Sequence, residues 1–246
     1  MTESRLVGRL GCYAALTDAE KSFLGRIEVQ EKPLGNGQTV VRRGSNAHRV
    51  FVLKEGWAII RSEPVRGRSS ILWIHLPGEV IGLGDMAPSA APHTIHMQTD
   101  GVVCPFSRDS LGELLRDLPR LSALLVGLAS LDQIAMRDHC AALGLMTAED
   151  RLVRFLLQLR LRLALADSVS GDRFHLPFNQ AEIGEAVGMT SVYVNKLLRK
   201  LSEQGLIRVE KPYMRLLDRA GLEAKIGFVD RFSDLDQSWF PNPRAA

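Results

Sequence analysis

The sequence predicts an α+β chain in three parts: an antiparallel β sandwich or roll, one long helix, and a C-terminal winged helix-turn-helix. Three observations carry this. Glycines punctuate short β-rich runs between Lys32 and Arg108. Leucines and alanines then recur on three- and four-residue steps from Leu121 to Ala142. Finally, Asn179–Leu201 reads as two short amphipathic helices around a tight turn.

Composition sets the bounds. The 246 residues are 46% hydrophobic and 24% charged, which suits two domains that each bury a core. A net charge of +3 permits nucleic-acid binding without demanding it. Cys12, Cys104 and Cys140 are scattered and odd in number, with no Cys-x-x-Cys, so neither a disulfide framework nor a zinc site is indicated. The N-terminal MTESRLVGRLG lacks a signal-peptide apolar run, and no stretch approaches the ~18 apolar residues of a membrane span. The expectation is a cytoplasmic protein with no membrane partner.

In chain order, Glu3–Gln30 reads as short helices, with Thr17-Asp18-Ala19-Glu20 as a capping box. The β runs are Thr39–Val41, Val50–Leu53, Trp57–Arg61, Ile71–Leu76 and Thr94–Phe106, with a hairpin turn at Glu55-Gly56. Ser110 to about Leu145 is helical. On it Leu121, Leu124, Leu128, Leu131, Ala135 and Ala142 form the repeat of a coiled-coil dimer seam, although Asp138 also falls on it and Leu125 and Ile134 lie off it. The alternative is a helix packed on its own β domain. Thr147–Asp150 opens a new helix through Leu165, with Leu152, Phe155, Leu156, Leu159 and Leu163 inward and Arg154, Arg160 and Arg162 among the polar positions. Ser168–Asp172 reads as a polar loop, Asp218–Phe228 as a last helix, and Ser233–Ala246, with two prolines, as a loose tail.

The stretch from Asn179 carries the function. Asn179 caps a first helix through Val187, Gly188 supplies a left-handed helix end, and Thr190 caps a second helix. Gly184 leaves room for close approach. Val194, Leu197, Leu198 and Leu201 follow at i, i+3, i+4, i+7 and form the buried face. The opposite face holds Val192, Asn195, Lys196 and Arg199, with Ser191 and Tyr193 at its edges. That mixture suits a DNA major groove: Lys196 for guanine acceptors, Asn195 for adenine, Val192 for a thymine methyl. Leu206–Val209 and Met214–Leu217 around Lys211-Pro212-Tyr213 read as a two-stranded wing. The bland reading of the same pattern is a solvated helical hairpin in some other domain.

EIGEAVGMTSVYVNKLLRKLSEQGLI resembles the DNA-binding domain of the bacterial Crp/Fnr regulators, and the upstream β segment and leucine-rich helix extend the likeness over nearly the whole chain. The resemblance implies a jelly-roll sensor domain of the cyclic-nucleotide-binding type over residues 1–110, a dimerisation helix and hinge over 111–146, a winged helix-turn-helix over 147–228 and a tail over 229–246. It also implies a homodimer on a palindromic double-stranded operator, with RNA polymerase as a further partner. The base contacts expected are Ser191, Val192, Asn195 and Lys196; the phosphate contacts are Gln180, Thr190, Tyr193, Arg199 and Lys200.

Departures from the family matter equally. Its cyclic-AMP cassette places a Glu on the ribose and an Arg-Ser pair on the phosphate; here Leu83 and His93-Thr94-Ile95 stand in those places. A phosphate without its guanidinium loses its bidentate, charge-assisted contact, so cyclic AMP is not expected. An iron–sulfur cluster needs about four thiolates, and Cys12 stands alone near the N-terminus. Haem, through His75, His93 or His96, is retained as an alternative. An effector pocket is placed at Leu83, Met86 and His93. A cupin-like metalloenzyme fares poorly, because His93 and His96, three apart on a strand, point to opposite faces. No nucleophile elbow, P-loop or dinucleotide fingerprint appears, so no enzyme is expected. A module whose β domain docks a partner protein is the second class of reading.

Overall fold

The computed structural model describes residues 4–46, 49–166 and 169–242; Glu3, Ser168 and residues 243–246 of the segments read above lie outside them. The chain divides into two compact units, Met1–Arg61 with Trp73–Gln133 and Ser233–Ala246, and Ser62–Leu72 with Ile134–Phe232.

In the first unit, helices α1 (Arg5–Gly11) and α2 (Asp18–Ile27) precede strands β1 (Lys32–Leu34), β2 (Thr39–Val41), β3 (Arg49–Glu55), β4 (Ala58–Arg61), β5 (Ile71–His75), β6 (Val80–Ile81), β7 (Thr94–Met97) and β8 (Gly101–Ser107). The capping box at Thr17 forms, its side chain accepting from Glu20 N while Glu20 returns to Thr17 N at 2.8 Å. The strands make two four-stranded sheets, β1-β8-β3-β6 and β2-β7-β4-β5. Phe51, Leu53, Ala58, Ile81, Ile95, Met97 and Val103 fill the β core. Thr94–Phe106 is two strands rather than one, because the chain turns at 98–100. Strands β1 and β6 were not anticipated.

Helix α3 (Arg108–Asp117) leads into α4 (Pro119–Leu145), a continuous helix of 27 residues. Its expected dimer seam is covered by the chain itself. Leu121 and Leu124 are 0% and 1% exposed and join Leu6, Leu10, Phe23, Leu24, Leu111 and Leu114 in one core, with Leu128 packed on it. Leu131, Ala135 and Ala142 are also buried. The three-four repeat identifies an apolar face correctly, but this face is satisfied intramolecularly. The tail is likewise not loose: Leu235 and Phe240 pack on the same core, and Gln237 Nε2 donates to Tyr13 O at 2.5 Å. A Cβ on Gly127 would lie 3.0 Å from Leu235 Cδ1, so this tail residue seats directly on the backbone of α4.

The second unit holds α5 (Ala148–Ala164), β9 (Val169–Ser170), β10 (Arg173–His175), α6 (Gln180–Val187), α7 (Ser191–Glu203), β11 (Ile207–Glu210), β12 (Tyr213–Leu216) and α8 (Arg219–Ile226). The wing is a four-stranded sheet, β11-β12-β10-β9, instead of a lone hairpin. Phe174 pairs with Met214 and both are buried beneath it. Arg154 and Arg162, read as polar-face residues of α5, are buried. Arg154 reaches Asp138 at 3.6 Å, and Arg162 stacks 5.8 Å from the Phe232 ring centre. Asp138 also receives Arg231 Nε at 2.9 Å, so this seam position is explained by two intramolecular ion pairs.

Candidate nucleic-acid interface

The helix-turn-helix is built by local chemistry. Asn179 Oδ1 accepts from Ala181 N at 2.9 Å and Glu182 N at 3.0 Å, and Glu182 closes the box on Asn179 N. Gly188 ends α6 at φ 69°, ψ 45°, a left-handed conformation that β-carbon-bearing residues resist. At Gly184 the demand is space: a Cβ there would stand 2.4 Å from Met189 O, in the turn that leads to α7. Met189 N donates to Gly184 O at 3.0 Å across the same gap. Thr190 then caps α7, accepting from Tyr193 N at 3.3 Å.

A residue from α5 holds this turn from outside. Arg151 Nε donates to Val187 O at 3.0 Å and Nη2 to Gly188 O at 3.4 Å, placing a cation on the carbonyl end of α6. Sequence reading did not single out Arg151, since its partners lie 36 and 37 residues away.

Helix α7 buries Val194, Leu197, Leu198 and Leu201, the four residues its spacing indicated. Ser191, Val192, Tyr193, Asn195, Lys196, Arg199 and Lys200 all face outward, as does Thr190 before them. Val192 is 79% exposed, an apolar group left in water on a helix that buries its other aliphatic residues. Such a residue has a use if something apolar meets it.

The helix and wing share a groove of about 300 Å³, lined by Asn179, Gln180, Asn195, Arg199, Lys211 and Tyr213 among others. It brings together three residues expected at DNA, Gln180, Asn195 and Arg199, and adds Lys211 and Tyr213 from the wing. Arg173 braces this side, stacked 3.6 Å from the Tyr213 ring centre and bonded to Glu210 at 2.8 Å. Those wing residues were legible only as a turn. Lys200 stands apart from the rest. Glu149 at the start of α5 holds both Lys200 and Lys225, and its carboxyl is held below the usual glutamate range, chiefly by the hydrogen bond from Lys200 and then by that from Lys225.

The residues expected to line an effector pocket all lie in the first unit. Leu83 and Met86 pack on the helical core of the first unit. His93 lies near Asp85, whose carboxyl is raised by burial and opposed by the histidine. His75 Nδ1 is 3.8 Å from Glu79, which also takes Arg9 Nη2 at 2.8 Å, and His96 Nδ1 is 3.4 Å from Thr39 Oγ1. Cys104 is buried and its thiol pushed up to about 11, chiefly by desolvation. Among the described residues, no group of three or more His, Cys, Asp or Glu could hold a metal ion, and no helix is long and apolar enough to cross a membrane.

An outward polar helix face beside a wing, on a rigidly capped turn, defines a DNA-binding domain of the winged helix-turn-helix class. Comparison with known proteins agrees. Residues 150–225 match the Crp-like helix-turn-helix domain and residues 31–117 the cyclic nucleotide-binding domain. The chain is 30% identical over 213 residues to the transcriptional activator protein FnrA of Stutzerimonas stutzeri, covering 87% of each. It is also 30% identical over 224 residues to the transcriptional regulatory protein btr of Bordetella pertussis, covering 91% of this chain and 92% of that one. The structure of FixK2 from Bradyrhizobium japonicum shares the fold, with a TM-score of 0.71 and 23% identity over 79% of this chain and 96% of that one. The chain belongs to the Crp/Fnr family of transcription regulators. It is a DNA-binding regulator and not an enzyme.

Proposed function

We propose that this regulator binds a palindromic operator as a homodimer in the cytoplasm. Two copies of α7 would occupy successive major grooves with half-site centres about one turn apart, ~34 Å. Ser191, Val192, Asn195 and Lys196 read base edges. Gln180, Thr190, Tyr193 and Arg199 hold phosphates, joined by Lys211 from the wing. Lys200 reaches a phosphate only by leaving Glu149. The observation that carries this reading is the outward array on α7 beside the groove it shares with Lys211 and Tyr213. Phosphate contacts set register while the base contacts set sequence, and RNA polymerase is the partner such a regulator addresses.

The residues present do not fit cyclic AMP. Where the family's phosphate-binding pair stands, the chain has His93, Thr94 and Ile95, none of which carries a guanidinium, and Ile95 is 1% exposed. Nor do one buried and two exposed cysteines supply the ligand set of a cluster. The activity is therefore set by an effector of another class or by protein abundance alone.

Salt dependence tests the DNA contact. Each phosphate neutralised contributes about −0.9 to the slope of log K against log salt on duplex DNA. Four to six such contacts on a dimer give a slope of about −4 to −5. A slope near zero would leave the protein-docking reading in its place.

A further inference from the structure

The chain past α8 is fastened at two closely spaced points. Arg231 Nε donates to Asp138 at 2.9 Å, and Phe232 is 3% exposed with Arg162 over its ring, all within the second unit. Leu235 then seats on Gly127 and packs, with Phe240, on the core of the first unit that holds Leu121 and Leu124. Ser233 and Asp234 alone separate the two anchors, and both are exposed. Three residue steps span at most ~11 Å. Beyond Leu235 the tail folds on itself. Asp236 Oδ1 accepts from Ser238 N at 2.8 Å, Phe240 N donates to Gln237 O at 3.0 Å, and Trp239 meets Phe240 edge-on at 4.7 Å.

So short a leash has a mechanical consequence. Helix α4 ends at Leu145 and α5 begins at Ala148, so Met146 and Thr147 are the joint between the long helix and the winged helix. On that joint alone, α5 to α8 would be free to swing. The tail adds a second connection, because Gly127 lies about three helical turns before Asp138, ~16 Å along α4. A swing larger than the slack in Ser233-Asp234 must lift Leu235 off Gly127 or draw Phe232 out of its core. With the tail seated, the face of α7 stays open: Val192 is 79% exposed, and Asn195 and Lys196 are exposed beside it. The fastening therefore restricts orientation without blocking DNA.

We infer that the C-terminal tail is a built-in clamp that fixes the winged helix in its DNA-reading orientation without a bound ligand. The inference rests on the homodimer of the proposed function, since two recognition helices must hold one spacing to meet both half-sites at once. A domain already held in place loses less freedom on binding, whereas a released one must be ordered by the DNA. If release leaves each copy in the reading orientation about a tenth of the time, the full-site dissociation constant rises about tenfold per copy. A single half-site, read by one winged helix, is indifferent to the clamp.

The experiment compares the full chain with two variants that unseat the tail from opposite sides. Leu235→Asp acts from the tail; Gly127→Leu acts from beneath it, because even a Cβ there lies 3.0 Å from Leu235 Cδ1. Hydrogen exchange at the Phe240 amide verifies release, and sedimentation equilibrium gives the oligomeric state. Binding is then measured on the palindrome that the wild-type protein selects and on a duplex holding one half-site. Both variants should weaken the full site by at least about tenfold and leave the half-site within about twofold. Unchanged or tighter full-site binding by a dimer with its tail released overturns the clamp and leaves the homodimer standing. An equal loss on both duplexes, or a loss that tracks dissociation of the dimer, also overturns it. A wild-type protein that binds as a monomer overturns the homodimer, and the clamp with it.

Discussion

Replacing Gly184 by alanine sets two effects of opposite sign against each other. In a helix interior, alanine is favoured over glycine by about 0.8–1 kcal/mol. Gly184 lies within α6 and is buried, so this gain applies. Against it, the added Cβ would lie 2.4 Å from Met189 O and 3.4 Å from Met189 C. The neighbour is backbone, not the end of a flexible side chain, so the turn itself must move by more than half an ångström to restore a normal contact. Overpacking of this kind costs about 1–3 kcal/mol. The same shift stretches the 3.0 Å bond from Met189 N to Gly184 O, which contributes about 0.5–1.5 kcal/mol. The clash wins, with a net loss of about 1–3 kcal/mol. Hydrogen exchange read at the α6 and α7 amides reports this locally, and protection should fall about five- to 150-fold. Unchanged or increased protection would mean that the turn relaxes freely and that Gly184 is not what fixes α7.

Other expectations concern the same unit. Asn179→Ala removes two accepted backbone hydrogen bonds and should cost about 1 kcal/mol of α6 stability, measurable by the same exchange experiment. Arg151→Ala uncovers Val187 O and Gly188 O and should lower protection in α6 while leaving the β-roll amides unchanged. Glu149 has a lowered carboxyl, so its contribution to stability is complete above its ordinary value of 4.5 and is lost as pH falls through the lowered folded value. A Glu149→Gln variant should lose that acid-limb dependence in a pH series of thermal unfolding. Lys196→Ala should cost ~1–3 kcal/mol per half-site on the preferred sequence and relax selectivity at one base pair in each half-site. Lys211→Ala removes one phosphate contact from each copy of the dimer, so it should weaken all sequences alike and reduce the magnitude of the salt slope by about 2.

The parts legible in the sequence are those decided by neighbours in the chain. Asn179, Gly188 and Thr190 each act within a few residues, so both helices of the motif and their ends were readable, and the i, i+3, i+4, i+7 spacing gave the buried face of α7. Pairings distant in sequence were not. Arg173–His175 becomes a strand only because Tyr213–Arg215 lies beside it, and the three residues alone are too few to show a period. Val80-Ile81 is shorter still. On α4 the period was right and its use was not: a heptad shows that one face is apolar, while whether the chain itself or another copy covers it depends on α1 and α2. The tail misled through its prolines, which disguise that Phe232, Leu235 and Phe240 are spaced to reach apolar ground. Arg151 and Glu149 look like ordinary surface charges until the elements they clasp are folded beside them.

The central claim is that the outward face of α7 reads DNA sequence in a two-fold arrangement. Selection of bound sequences from random duplex DNA by the purified protein, without added ligand, tests it directly. A palindromic motif with half-sites about 10 base pairs apart is expected, with loss of preference at one symmetric pair of positions in Lys196→Ala. A motif without two-fold symmetry, or the same motif with and without Lys196, would contradict it.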